Sequence, residues 1–566
     1  VVTETVPEQA LDATPGGALL DRAGSAAPAF TYLEFPGGHR TEHTLSWARL
    51  AERVRSVAAV LRQHAGPGDR VALLARQDLG YVVGFLATLH AGLIAVPLFA
   101  PERRAHSDRL VGALRDAAPR VWLTGSAQLD RTREFGRAHD IQPAKGALLA
   151  VDTVPVTAAD DPAPPGREDP AYLQYSSGST RTPTAAVISH RALAASCWQV
   201  ATAYDVDART TCTGWIPFFH DMGLIQLLCV PALTGARSVF FTPVEFVRRP
   251  GRWLHEMATH PRVFTAAPNF AYDLAVEETT PQERAGWDLS GVRVALNGSE
   301  PVRAATVARF ADVFGAHGFS PAAHRPSYGL AEATVYVSSA GACGPTVTAF
   351  DRIALGEGRA VPGTTRELVS VGKPVGQLVR IVDPERHTVC PDGAVGEIWV
   401  RGPHLASGYW RRPGATAEAF GALVRDPPEG TPARGWLRTG DLGLIHDGLL
   451  YITGRIKDLI VVDGRNHYPQ DIEATVADAH PAIRRGRVAA FGIRDGDGEA
   501  VAVLAEHVPG ASLDPVLVAK AVRRAVSEGH EVALRGFRLG APGTVPRTSS
   551  GKVARAAAKA RFESER

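Results

Sequence analysis

From Asp69 the chain alternates short apolar runs with amphipathic stretches: RVALLAR, LGYVVGFLATLHAG, LIAVPL, RLVGALRDAA and RVWLTG. The short runs predict strands and the longer stretches predict helices. Strands joined by helices of that length pair in parallel through right-handed crossovers, which predicts a helix-covered sheet. A second series of the same kind runs from Ala185 to Leu296. Between them, Val154 to Asp169 is rich in Pro, Ala and acid and predicts a surface connector leading into a strand at Ala171 to Tyr175. After Lys373 the texture changes to GQLVRIVDPE, GAVGEIWVRG and GLLYITGR, shorter segments with glycine turns that predict a small antiparallel barrel or sheet. Beyond Arg455 a last α+β unit is expected, with a helix near Asp471 to His480, a hairpin turned at Asp495 to Gly498, and a helix near Pro515 to Glu528. The expected fold class is α/β: a large N-terminal domain over 1–453, built from two helix-flanked β-sheets plus a small β-barrel-like subdomain, and a small α+β C-terminal domain over 454–566.

Composition narrows the function classes. A length of 566 residues suggests three or four folding units or one large α/β domain with an appendage. The formal net charge is +2, without long runs of one sign, so nucleic-acid binding is not expected. The segment Tyr81 to Pro101 carries no charge over a length that spans a bilayer, but Gly84, His90, Gly92 and Pro97 divide it into helix, turn and strand. It is read as buried core, with no stable membrane insertion. Five cysteines, widely spaced and without a C-x-x-C pair, argue against a disulfide framework or zinc knuckle. The amino terminus shows no export signal, and a cytoplasmic location fits best. Only six of the 61 basic residues are lysine. A lysine kept against that bias marks a place where a compact ammonium suits better than a planar guanidinium, which draws attention to Lys457 and Lys552.

The strongest local signal is YLQYSSGSTRTPTAAVISH, in which a strand runs into Ser176, Ser177, Gly178, Ser179 and Thr180. Small hydroxyl residues around a glycine let N–H and O–H groups converge on phosphate oxygens, although a flexible connector explains this loop alone equally well. The Walker A spacing is absent. Further motifs follow in order: GWIPFFHDMGL at 214–224, NGSEPV at 297–302, SYGLAEAT at 327–334, RTGDLG at 438–443, GRIKDLIVVDGRNHYPQDIE at 454–473 and PRTSSGK at 546–552.

Together this series resembles the acyl-adenylate-forming superfamily over nearly the whole chain. The resemblance implies ATP and Mg²⁺, with a carboxylate attacking the α-phosphorus of ATP and expelling pyrophosphate. Ser176, Ser177, Gly178, Ser179, Thr180 and Arg181 would hold the β- and γ-phosphates, and Thr180 and Glu332 would position the metal. Asn297, Gly298, Ser299, Glu300 and Pro301, with Tyr328, Gly329, Leu330 and Ala331, would enclose the adenine, and Asp441 would accept the ribose hydroxyls. Lys552 resembles the family's mobile catalytic lysine, reaching both the carboxylate and the α-phosphate. Arg455 would fix ribose or phosphate, and Lys457 stands at the hinge about which the small domain rotates. His220 is similar to the family histidine beside the reacting groups, a packing histidine being the alternative.

QYSSGSTRTP, PFFHDMGLI, RRPGRWL, APNFAYDLAV, NGSEPVR and GRNHYPQDIE resemble the fatty acyl-AMP ligases, which pass the acyl group to an acyl carrier protein of a polyketide or lipopeptide pathway. Between Glu332 and Lys373 lie 40 residues, long against typical connections of about 4 to 6. By resemblance the insertion at Phe350 to Ser370 packs on the small domain and disfavours free coenzyme A. Met222, Ile225, Gln226 and Leu228 are expected to wall the acyl channel. Two departures stand out: Thr184 where most superfamily members carry Lys, and Arg181 where they carry Gly. A fatty acyl-CoA synthetase and a non-catalytic nucleotide- or acyl-binding homologue are the alternative readings.

Overall fold

The computed structural model describes residues 5–102, 107–144, 147–158, 160–175, 183–462, 465–495, 498–510, 514–548 and 551–565. Both predicted crossover series form sheets, but with shifted membership: Ala185–Ser189, expected to open the second series, pairs antiparallel at the edge of the first sheet, and strands before Asp69 and after Leu296 join the second. The first builds a six-stranded sheet in the order Ala147–Ala150, Val121–Thr124, Arg70–Leu73, Ile94–Pro97, Pro170–Tyr175, Ala185–Ser189, parallel except at the last pair. The second builds an eight-stranded sheet in the order Ser338–Ser339, His324–Tyr328, Val292–Asn297, Val263–Ala267, Thr211–Gly214, Arg237–Phe240, Pro28–Glu34, Thr41–Ser46. One apolar core contains residues from both sheets and from the helices Trp47–His64, Leu79–His90 and His190–Tyr204.

The uncharged segment is explained by this core. Asp78 caps the helix Leu79–His90, its carboxylate accepting the Tyr81 N–H at 3.1 Å. Tyr81 through His90 are all buried, followed by the strand Ile94–Pro97. A helix apolar on every face belongs inside a large protein, and each buried Leu, Val or Phe contributes about 1.5–3 kcal/mol. Among the described residues no helix is long and apolar enough to cross a membrane. The connector 154–169 has no regular element before Pro170, yet it is anchored: the Asp161 carboxylate meets Arg55 at 2.9 Å and His90 at 3.0 Å.

The glycine-punctuated region forms a four-stranded antiparallel sheet: Leu378–Val382, Gly396–Arg401, Leu437–His446 and Leu449–Arg455. It is a sheet and not a barrel, and its third strand, which carries the RTGDLG motif, was not anticipated from the hydrophobic pattern. The C-terminal residues build their own three-stranded sheet, with strands Ile483–Asp495, Gly498–His507 and Leu534–Gly540 flanked by helices Pro469–Ala479 and Pro515–His530. Their apolar clusters draw only on residues from Ile460 onward. The insertion takes the form of strand Val347–Phe350, short helix Arg352–Gly356 and strand Arg366–Val369. It does pack on the C-terminal part: Arg366 meets Asp471 at 2.8 Å, Arg352 donates to the Gly529 carbonyl at 2.6 Å, and the Tyr468 hydroxyl donates to the Leu355 carbonyl at 3.3 Å. All five cysteines are free.

The backbone crossing between insertion and main body depends on Gly372. Its φ is +71°, and an added Cβ would fall 1.9 Å from the Ser339 carbonyl oxygen. Replacing it with Ala therefore imposes both left-handed strain and a backbone clash, and is expected to cost about 1–3 kcal/mol or more. A clearly lowered thermal midpoint of Gly372→Ala checks this; an unchanged midpoint contradicts the packing described.

Candidate active site

Three parallel strands of the eight-stranded sheet, Thr211–Gly214, Val292–Asn297 and His324–Tyr328, the first separated from the second by Val263–Ala267, release their chains at the same edge, the carboxyl ends where open α/β sheets bind ligands. The first leads to His220, the second into Gly298 and Ser299, the third into Gly329. A cleft opens there, and Asp221, Met222, Gln226, Ser299, Tyr328 and Gly329 are among its lining residues. Gly329 is required by close approach: a Cβ would sit 1.5 Å from the Val335 carbonyl oxygen. Ser299, which lines the cleft, holds a positive φ of 68°, uncommon for a residue with a side chain.

His220 opens a short helix Asp221–Leu224, with its Nδ1 2.7 Å from Asp221 Oδ1. Burial works to raise the Asp221 carboxyl, but the adjacent His220 and the Lys552 ammonium outweigh it and hold the group below its ordinary range. Glu300 accepts the Phe270 N–H at 2.6 Å at the start of helix Asn269–Glu277, where the helix dipole favours an anion. Burial still pushes the Glu300 carboxyl up, against the opposing influence of Phe270, Lys552 and Arg303. Asn297 is fully buried, its amide 3.3 Å from Asn269 Oδ1 and 3.1 Å from His324 Nε2. It braces the strand end beneath the cleft and does not line it.

On the opposite side, strand register places Arg455 directly across from Asp441 in the four-stranded sheet. Arg455 Nε lies 2.7 Å from Asp441 Oδ1, while the Tyr328 hydroxyl donates to Asp441 Oδ2 at 2.7 Å. Beside Asp441 the guanidinium is held firmly charged. Glu332 accepts the Tyr409 hydroxyl at 2.8 Å, and burial raises its carboxyl. Its carboxylate oxygens are hard donors of the kind Mg²⁺ takes; its expected companion Thr180 lies outside the described residues, as do Ser176, Ser177, Gly178, Ser179 and Arg181. Thr184 is half-buried just before the strand Ala185–Ser189.

Lys552 arrives from the far end of the chain. Its loop is closed by Thr548, whose N–H donates to the Lys552 carbonyl at 2.8 Å and whose hydroxyl accepts the Lys552 N–H at 3.1 Å. Arg547 beside it stacks 5.9 Å from the Phe270 ring, tying the loop to the main body. Burial lowers the Lys552 pKa from the ordinary lysine value; Asp221, Glu300 and Asp441 act to raise it, and Arg455 to lower it. The structure thus brings Lys552, His220, Glu300, Tyr328, Asp441 and Arg455 to one place. Lys457 is exposed in the turn Ile456–Asp458, immediately before the C-terminal elements. Of the expected acyl-channel residues, Met222 and Gln226 line the cleft, whereas Ile225 and Leu228 are fully buried in the main core. Leu330 likewise belongs to the core of the four-stranded sheet. Asp221, Ser327, Leu296 and Val335 line the cleft without having been singled out. Only Asp221 carried a usable signal, as a carboxylate next to His220.

Comparison with known proteins agrees with this geometry. Residues 20–410 match the AMP-binding enzyme family. The long-chain-fatty-acid–AMP ligase FadD26 of Mycobacterium marinum is 43% identical, covering 95% of this chain and 94% of its own. The 4-hydroxyphenylalkanoate adenylyltransferase of the same organism is 40% identical, covering 97% and 91%. A solved structure from work on fatty acyl-adenylate ligases of E. coli and L. pneumophila superposes with a TM-score of 0.86 at 31% identity over 99% of both chains. The chain belongs to the AMP-binding enzyme family, in its fatty acyl-AMP ligase branch.

Proposed function

We propose that this protein joins a fatty acid to AMP and then delivers the acyl group to the phosphopantetheine thiol of an acyl carrier protein serving a polyketide or lipopeptide pathway. The observation that supports the reading is the convergence of His220 with Asp221, and of Tyr328 and Arg455 with Asp441, around the cleft, with Lys552 near enough to Asp221, Glu300, Asp441 and Arg455 to feel their charges. In the first half-reaction a carboxylate oxygen forms a bond to the α-phosphorus of ATP, and the bond from that phosphorus to the bridging oxygen of pyrophosphate breaks. Both reactants are anions, so the obstacle is charge repulsion, and an ammonium in a low-dielectric cleft offsets it more strongly than one in water. His220, held by Asp221, lies at the mouth where the carboxylate would rest. The Tyr328 ring and the Gly298–Ser299 backbone would face adenine, and Asp441 would take the ribose hydroxyls in the direction from which Tyr328 now donates. Mg²⁺, held by Glu332 and Thr180, would screen the phosphate oxygens when bound.

In the second half-reaction a thiol sulfur attacks the acyl carbonyl, the thioester forms, AMP departs and the thiol proton is lost. We infer that the chain acts as two bodies, 1–453 and 454–566, turning about Lys457 so that Lys552 leaves the cleft. The insertion opposes that turn, because rotation would break the buried Arg366–Asp471 pair and the Arg352 and Tyr468 bonds. A long protein-borne arm that binds its own docking surface overcomes this more readily than a small free thiol. Five free cysteines accord with a reducing cytoplasm.

Lys552→Ala is expected to slow fatty-acid-dependent pyrophosphate release by two to three orders of magnitude, about 3–4 kcal/mol of lost transition-state stabilisation. Its transfer of preformed acyl-AMP to the carrier should change little, so the two half-reactions measured separately check the assignment; equal activity in the first step contradicts it. Wild type supplied with ATP, Mg²⁺ and fatty acid should load a phosphopantetheinylated carrier and yield little acyl-CoA. Arg366→Ala, which frees Asp471 at a loss of about 3–5 kcal/mol for a broken buried pair, should raise acyl-CoA yield relative to acyl-AMP. Efficient acyl-CoA formation by wild type contradicts the carrier reading.

A further inference from the structure

The helical stretch below His220 contains an irregularity that the activation chemistry does not use. Residues Ile225–Cys229 form a π-helical turn between helices Asp221–Leu224 and Val230–Thr234. Such turns cost regular hydrogen bonding and occur mostly where a side chain must be re-aimed at a functional site. Ile225, Leu227, Leu228 and Cys229 are all sunk in the main core. The one polar side chain in the turn is Gln226, only 3% exposed, which lines the cleft one helical step beyond Met222.

Gln226 is unlike the other buried glutamines. Gln174, Gln199 and Gln377 also leave their Oε1 unpaired, but each anchors its amide nitrogen: on the Phe219 carbonyl at 3.1 Å, the Gly376 carbonyl at 3.3 Å and the Val337 carbonyl at 2.7 Å. Neither end of the Gln226 carboxamide is hydrogen-bonded to any described residue. Nearby, the Ser299 hydroxyl donates only to the Met222 sulfur at 3.5 Å, a weak acceptor. A carboxamide buried without a partner is destabilising, and a hydrophobic residue of similar volume would remove that penalty if the cleft received only methylenes.

Resting on the fatty-acid ligase reading above, we propose that Gln226 is a specificity-determining residue that selects an acyl chain bearing a hydroxyl group. From His220 to Gln226 the helix advances about 9 Å at roughly 1.5 Å per residue. The hydroxyl therefore sits several carbons along the chain from the carboxylate, on an aliphatic or aryl segment, and bonds to the carboxamide. A site built to pair a substrate hydroxyl discriminates against the analogue lacking it, because its own polar group is then left bare.

The test uses the full chain and measures kcat/KM for pyrophosphate release. Octanoic, decanoic and phenylalkanoic acids are compared with derivatives hydroxylated at each position beyond the third carbon. Wild type is expected to favour the best hydroxylated acid over its parent by about ten-fold or more. Gln226→Leu should abolish that preference by losing the hydroxylated acid and gaining the parent, and its thermal midpoint should equal or exceed that of wild type. Equal use of parent and hydroxylated acids by wild type, or an unchanged ratio in Gln226→Leu, overturns the inference while leaving the ligase reading intact. A lowered midpoint with an unchanged ratio assigns Gln226 to packing and also overturns it. Absence of pyrophosphate release with every acid overturns the ligase reading and the inference together.

Discussion

The arrangement turns on one half-buried ammonium. Lys552 sits where burial disfavours its charge, and it is sustained there by Asp221, Glu300 and Asp441, which come from three separate parts of the chain. Each of those carboxylates has its own support: His220 beside Asp221, the Phe270 N–H on Glu300, Tyr328 and Arg455 on Asp441. The cleft is thus a balanced cluster that tolerates a cation only in this geometry. In the proposed reaction the same cation would face the anionic reactants, with little charge to reorganise at the moment of bond formation.

The fold explains how distant segments reach this point. Parallel strands carry His220, Ser299 and Gly329 to one sheet edge, an antiparallel register sets Asp441 against Arg455, and the Thr548-closed loop carries Lys552 across from the C-terminal sheet. The insertion makes this approach persistent. Arg366, almost wholly buried and stacked 4.3 Å over the Tyr468 ring, joins Asp471 in a contact spanning the insertion and the C-terminal part. In the proposed rotation, breaking it would leave an uncompensated charge on each side, which would favour the arrangement described over one with the C-terminal part turned away.

Much of this was legible in the sequence. Alternation of short apolar runs and amphipathic stretches located both large sheets, because strand and helix periods are local properties. The glycine-bounded runs located three strands of the small sheet, but Leu437–His446 was hidden: its burial pattern is irregular at Arg438 to Gly440, where motif residues replace the alternating apolar ones. Charged side chains with no packing reason to be where they stand, such as Lys552, Asp441 and Glu332, were the candidates most easily singled out in the sequence. Expectations for the cleft wall held for Met222 and Gln226 and failed for Ile225 and Leu228. Ile225, Gln226 and Leu228 are indistinguishable as wall residues in a linear string, and the π turn, a tertiary feature, decides that Gln226 faces the cleft while its neighbours join the core. Asn297 was taken as a ligand contact because its motif reaches the cleft, yet it is turned inward to Asn269 and His324.

The central claim is that Lys552 is a partly desolvated cation facing the cleft carboxylates, and its own titration tests that most directly. Competitive labelling of lysine amines across pH, read at Lys552 in the full chain, is predicted to give a pKa below the ordinary lysine value of 10.5, with labelling suppressed by ATP and acid together. A Lys552 that titrates as an ordinary surface amine and labels equally with and without the reactants would contradict the account.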